Sequence, residues 1–86
     1  MIIRYHKHFK KNLKKLDKKL RKRVYEKTAL FLKNPFDEQL QNHALQGPLQ
    51  GKRAIKVTGD YRIIFEEIDN YILVIMLDVG THNQVY

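Results

Sequence analysis

The chain changes its hydrophobic period once, and that change limits the folds open to it. From Phe9 to Phe31 apolar residues recur at helical spacing on a lysine-rich background; from Arg53 onward they fall into strand-like runs. Phe9, Leu13 and Leu16 form one stripe, and Leu20, Val24, Leu30 and Phe31 form the next. Asp17 lies between them and is suited to cap a fresh helix, accepting from backbone N–H groups two or three residues on. Asn34-Pro35 stops the pattern, because proline pushes its predecessor out of helical backbone. The spacing predicts two helices, about residues 6–16 and 18–33, packed as a hairpin. One continuous helix is the alternative, since no Gly or Pro marks the joint and the stripe alone does not exclude it. Ahead of them, Ile2, Ile3 and Tyr5 predict a short strand.

Phe36 to Gly51 reads as a loop with local turns, punctuated by Gly47-Pro48 and Gly51. Three strands are predicted after it: Arg53–Val57, Tyr61–Glu67 and Tyr71–Val79. Asp69-Asn70 is a two-residue hairpin signal. The preceding hairpin is decided by burial. A two-residue loop at Gly59-Asp60 would set Arg62 on the apolar face, whereas a three-residue loop, Thr58-Gly59-Asp60, pairs Lys56 with Arg62. Ile55, Val57, Tyr61, Ile63 and Phe65 then share one face, and Lys56 and Arg62 the other. A one-residue slip inverts every side chain, so burial outweighs the turn preference for Gly at the last loop position. The fold class is α+β: a short N-terminal strand, a helical hairpin and an antiparallel three-stranded meander, with the helices on one face of the sheet.

Eighty-six residues make a single domain, 1–86, with one small core. The net charge of +8 is unevenly placed. Residues 1–33 hold thirteen Lys/Arg against Asp17 and Glu26, and residues 34–86 hold four against seven acids. Such a directional field suits docking on phosphate or on an acidic protein, though a charged helix face is also simply solvated. The polar face lacks the aromatic anchors of a membrane-surface helix, and no apolar run spans a bilayer. There is no cysteine, so neither disulfides nor thiolate metal sites arise. Met1-Ile2-Ile3 runs directly into Arg4, His6 and Lys7, which leaves no signal-peptide core. The expected location is cytoplasmic.

The groups that carry chemistry gather in the last third. Cutting RNA without a metal needs a base for the ribose 2′-OH, an acid for the departing 5′ oxygen and cations for the charge gathering on phosphorus. Each well-placed acid or base is worth on the order of 10²–10⁴ in rate. His82 follows the last strand, where Gly80-Thr81 is expected to end pairing and free the side chain; histidine is the residue type suited to hold or release a proton under cellular conditions. His43, in the loop before the sheet, is the second half of an acid/base pair. Lys56 and Arg62 would clamp the scissile phosphate, Arg through its planar fork. Asp60 would offset these two cations or orient a histidine, although Gly-Asp is also an ordinary turn pair. Lys52 and Arg53 would extend the phosphate path, and Tyr86 would stack on a base or bond the phosphate. Each residue alone has an ordinary surface reading. His6 and His8, near the start of the basic helix, are expected to contact solvent or phosphate. Their spacing does not suit one helical face and no acid adjoins them, so no metal and no other cofactor is expected.

In order and spacing, His43-Ala44-Leu45-Gln46-Gly47, Gly51-Lys52-Arg53, Gly59-Asp60-Tyr61-Arg62 and Gly80-Thr81-His82 resemble the RelE/ParE toxin superfamily, closest to its YafQ-like mRNA interferases. The Lys-rich helical hairpin followed by Asn34-Pro35-Phe36 is similar in style, so the resemblance covers nearly the whole chain. It implies a type II toxin that cleaves mRNA on the ribosome, with His43, Asp60 and His82 as catalytic residues. It also places an RNA-contacting aromatic at Tyr61 and the closing aromatic at Tyr86, and it implies a cognate antitoxin that folds over the toxin. Two positions depart from the pattern. Lys56 stands where a YafQ-like toxin has another histidine, and Asp78 where an arginine binds phosphate, which leaves that charge to Arg62. The rival within the superfamily is a ParE-like toxin that inhibits DNA gyrase without cutting RNA; a third reading is a nucleic-acid-binding module without catalysis.

Overall fold

The computed structural model describes residues 1–86. Strand β1 (Ile2–Tyr5) leads into helices α1 (Lys7–Lys15) and α2 (Lys18–Lys33). A loop with two 3₁₀ turns, Glu38–Leu40 and Gly47–Leu49, carries the two-residue strand β2 (His43–Ala44) between them. Strands β3 (Arg53–Lys56), β4 (Tyr61–Ile68) and β5 (Leu73–Thr81) follow, and helix α3 (His82–Val85) closes the fold.

The break between α1 and α2 falls where the cap predicts it. Asp17 Oδ1 accepts from the Leu20 amide at 2.8 Å, and Leu16 is extended. Arg21 Nη1 then donates to the Leu16 carbonyl at 2.9 Å, satisfying an acceptor that the end of α1 leaves open. The single continuous helix is excluded. Phe9 of α1 and Val24 and Phe31 of α2 pack against Ile55, Ile63, Phe65 and Met76 to form the core. Phe31 meets Phe65 edge-on at 5.0 Å, a favourable aromatic geometry. The helices therefore cover one face of the sheet, as the burial pattern requires.

The predicted meander is present, but the sheet has five strands in the order β1-β5-β4-β3-β2. β1 joins β5 in parallel, with Ile2 opposite Leu73 and Tyr5 opposite Met76. β2 adds to β3 with His43 opposite Ala54. A strand of two residues is too short to show alternation, which is why the loop reading missed it.

In the β3–β4 hairpin Lys56 stands opposite Arg62, and the Val57 amide donates to the Tyr61 carbonyl at 2.9 Å. This is the three-residue loop chosen on burial. The β4–β5 hairpin differs from expectation. Ile68 pairs with Leu73, so the loop holds four residues, and Asp69, Asn70 and Tyr71 all take left-handed backbone, with φ of 54°, 55° and 69°. That conformation is uncommon for a tyrosine. What holds it is packing: the Tyr71 ring lies against Phe31, Phe36 and Phe65 at 6.1, 5.2 and 6.2 Å, and its amide donates to Glu67 Oε2 at 2.8 Å.

Pairing along β5 ends at Gly80-Thr81, but it includes both residues, two beyond the strand predicted to Val79. Gly80 stands opposite Arg62 and Thr81 opposite Tyr61. A bulge at Leu77 shifts the register, so that Ile64 faces Asp78 while Phe65 faces Met76. No helix is long and apolar enough to cross a membrane.

Candidate active site

Residues directly opposite one another on paired strands point to the same side, so register alone maps the sheet face turned away from the core. One row across it runs His43, Ala54, Ile64, Asp78, and the next runs Lys56, Arg62, Gly80. His43 and Arg62 are thus two strand spacings and two residues apart, about 12 Å, on one surface. α3 is seated over the end of that surface. A Cβ built on Gly80 would lie 2.9 Å from Gln84 Oε1 and 3.2 Å from Val85 Cγ1, so only glycine admits the helix this closely.

A reciprocal capping box positions α3: Thr81 Oγ1 accepts from the Gln84 amide at 3.3 Å, and Gln84 Oε1 accepts from the Thr81 amide at 2.8 Å. The Thr81-x-x-Gln84 signature was present in the sequence and would have announced this helix. The His82 amide donates to the Asp60 carbonyl at 3.0 Å, and the Tyr86 amide returns to the His82 carbonyl at 3.0 Å. The rings of His82 and Tyr86 meet edge-on, 4.3 Å between centroids. Burial pushes the Tyr86 phenol above the ordinary tyrosine value, and the nearby Arg62 guanidinium partly opposes that rise. Tyr86 is therefore a neutral hydrogen-bond donor at physiological pH.

Arg62 is held by backbone. Its Nη1 donates to the carbonyls of Thr58, Tyr61 and Gly59 at 2.8, 3.0 and 3.3 Å, closing the hairpin loop over itself. Nε and Nη2 have no partner within the chain. These carbonyls supply the compensation that Asp60 was expected to give; its carboxylate makes no ion pair, and the one ion pair present joins Lys52 Nζ to Glu66 at 3.6 Å. Asp60 contributes instead through its backbone, as the anchor of His82.

His43 is exposed at the sheet edge, with Nδ1 2.9 Å from the Gln41 carbonyl. A carbonyl only accepts, so Nδ1 is the donor of this bond, and in the neutral ring Nε2 is the nitrogen left with a lone pair. Gln41 has left-handed backbone, φ 48°, which turns that carbonyl toward the ring. Sequence reasoning missed this partner, and no side-chain pattern marks it.

The fold thus brings His43, Lys56, Arg62, His82 and Tyr86 to one face, with Lys52 on the same side of β3. Two expected RNA contacts fall elsewhere. Arg53 stands opposite Phe65, on the helix side; its Nε donates to Asn42 Oδ1 at 2.9 Å and its guanidinium lies 5.9 Å from the Phe36 ring centroid. Tyr61 packs against the core, half-buried. Both follow from strand alternation, which points Arg53 and Tyr61 the same way as Ile55 and Ile63. Asp78, at the position noted for its missing arginine, is tied down: Oδ1 accepts from Asn12 Nδ2 at 2.6 Å and from the Val79 amide at 2.8 Å.

His6 and His8 depart from the spacing argument. His6 is the extended N-cap of α1, and its Nδ1 accepts from the His8 amide at 3.1 Å. The two rings stack at 5.0 Å with 8° between planes. No group of three His, Cys, Asp or Glu side chains is arranged to hold a metal ion.

Comparison with known proteins places the chain in a family. The family described as bacterial toxin of type II toxin–antitoxin system, YafQ, matches residues 1–86. YafQ from E. coli strain BL21(DE3) superposes with a TM-score of 0.82 at 24% identity, covering 98% of this chain and 96% of that one. YafQ in the E. coli DinJ–YafQ toxin–antitoxin complex gives 0.79 at 24% identity, over 98% and 94% of the two chains. A copper-bound mutant toxin from Helicobacter pylori gives 0.74 at 25% identity, over 100% and 99%. No curated protein matches the chain in sequence.

Proposed function

The chain belongs to the YafQ family of bacterial type II toxin–antitoxin toxins, and from that membership we propose that it is a metal-independent endoribonuclease that cleaves mRNA on the ribosome. The observation that carries the reading is the shared face: an imidazole with a fixed tautomer at one edge, two cations without acidic partners in the middle, and an imidazole–phenol pair folded over the other end.

In the proposed step, His43 Nε2 takes the proton from a ribose 2′-OH. The 2′ oxygen attacks phosphorus, the bond to the 5′ oxygen breaks, and His82 as imidazolium returns a proton to that oxygen. The products are a 2′,3′-cyclic phosphate and a 5′-OH. Lys56 and the free Nε and Nη2 of Arg62 receive the charge developing on the non-bridging oxygens, the largest single contribution in reactions of this kind. The Tyr86 phenol donates to the same phosphate, and Lys52 extends the path of the strand. Asp60 holds His82 through its carbonyl.

The partners proposed are the mRNA–ribosome complex, in the cytoplasm, and a cognate antitoxin. A relative of the same fold was solved bound to its antitoxin, and the +11 charge of residues 1–33 suits an acidic one. The test is to add purified protein to translating ribosomes and map 3′ ends on the message. Discrete new ends are expected, and His82→Ala should reduce them by about 10²–10⁴ with antitoxin binding unchanged. Intact message together with inhibited DNA supercoiling would replace this reading with gyrase inhibition.

A further inference from the structure

Beside the proposed phosphate clamp, on the same face, lies a shallow cavity of about 270 Å³, and we infer that it is a nucleobase pocket in which Asp78 selects bases carrying an exocyclic amino group. The inference rests on the nuclease reading only for the polymer that delivers the base.

The floor of the cavity is apolar: Ile64, Leu77 and Val85, with Leu49 on one side. Ile64 is almost fully buried although it faces away from the core, so it is covered by these neighbours. Leu77 reaches the floor because it is the extra residue of the β5 bulge, a device that re-aims side chains. The wall is the stacked pair His6–His8. Imidazole planes are platforms for bases, and the N-cap hydrogen bond fixes this one in place. The volume falls just under the range of drug-sized pockets, about 300–1,000 Å³, and suits one planar ring system.

The polar groups at the rim supply the discrimination. Lys52 is a donor on one side. Asp78 is the acceptor on the other, and its two oxygens differ: Oδ1 is occupied by Asn12 and Val79, while no donor in the chain takes Oδ2. A half-buried carboxylate oxygen of this kind accepts from an amino group of adenine, cytosine or guanine. It repels uracil, whose single N–H is flanked by carbonyls. The pocket sits where a base next to the clamped phosphate would fall, since Ile64 and Arg62 are two residues apart on one face, about 7 Å.

Asp78→Asn isolates the claim. The amide oxygen keeps the bonds to Asn12 and Val79, and only the free atom changes, from acceptor to donor. The readout is NMR of the methyl groups of Leu49, Ile64, Leu77 and Val85 in the full chain titrated with AMP, GMP, CMP and UMP. The three amino-bearing mononucleotides should shift these methyls and bind roughly five- to tenfold more tightly than UMP, in line with the worth of one base-edge contact. In Asp78→Asn that order should level or invert, with an unchanged fold and Tm. Equal binding of all four nucleotides, no shift at these methyls, or discrimination that survives the substitution would overturn the pocket. In a cleavage assay the variant should move cut sites toward uracil-containing positions. A chain that discriminates the nucleotides yet cuts no message would sink the nuclease reading and leave the pocket standing.

Discussion

Gly80→Ala should separate the seating of α3 from the stability of the fold. The backbone of Gly80 is not left-handed, so the substitution acts by contact alone. The new methyl would lie 2.9 Å from Gln84 Oε1, 3.2 Å from Val85 Cγ1 and 3.3 Å from Gln84 Cβ, well inside the 3.5–4.0 Å of ordinary carbon contacts. Gln84 is not free to swing aside, because its Oε1 holds the Thr81 amide. Relief therefore costs either half of the capping box, about 0.5–2 kcal/mol, or overpacking strain of about 1–3 kcal/mol. A four-residue helix with no buried residue has little to set against about 2 kcal/mol, and its seated population should fall roughly 30-fold. Because the strain is released by lifting α3, the rest of the fold is spared. Cleavage should drop about 10- to 30-fold, while Tm falls far less than the 8–16 °C that about 2 kcal/mol would cause if felt globally. Hydrogen exchange at the His82 and Tyr86 amides, bonded to the Asp60 and His82 carbonyls, should accelerate in parallel. Wild-type cleavage with these amides still protected, or a full global Tm loss with activity intact at low temperature, would refute the argument.

Three further outcomes follow from other contacts. Tyr86, whose phenol is held above the ordinary tyrosine value chiefly by burial, keeps its proton longer in the folded chain than in the unfolded one. Its contribution to stability is complete below about pH 10 and is lost as pH rises through the folded value; Tyr86→Phe should remove that alkaline slope, seen in denaturation series from pH 8 to 12. Asp17→Ala deletes the cap of α2 at a cost of about 1 kcal/mol, and calorimetry should record a Tm lower by about 4–8 °C with cleavage unchanged at low temperature. Asn42→Ala removes the donations to Pro35 and Tyr71 and the acceptance from Arg53. It should cost about 1–3 kcal/mol and lower kcat by loosening the segment that carries His43.

The parts of the fold written in side-chain period were legible. Both helices, the cap between them and the three long strands follow from spacing, and burial alone chose the hairpin loop that puts Lys56 beside Arg62. What spacing did not carry was held by backbone or by distance. β2 is shorter than one alternation, and the left-handed turn at Asp69–Tyr71 is imposed by aromatic packing from three other segments. Within the site, the residue types of His43, Lys56, Arg62, His82 and Tyr86 pointed to one surface; register sets His43, Lys56 and Arg62 on it, and the capped helix α3 carries His82 and Tyr86 over its end. Arg53 was drawn in by adjacency in sequence and Tyr61 by the resemblance, yet alternation sends both to the helix side. The carbonyls that fix Arg62, His43 and His82 belong to Thr58, Gln41 and Asp60, and a backbone acceptor leaves no trace in residue identity.

The strained tip at Tyr71 has a reach out of proportion to its place at the end of the sheet remote from the chemistry. Its ring leans on Phe36, its hydroxyl takes the Asn42 amide, and Asn42 in turn grips Arg53, so one hairpin end braces the loop immediately ahead of His43. The imidazole at the sheet edge is thereby moored from behind, by residues no substrate touches. Drift at this mooring would surface as a kinetic defect long before it surfaced as unfolding, and a survey confined to the groove would search for its origin in the wrong half of the molecule.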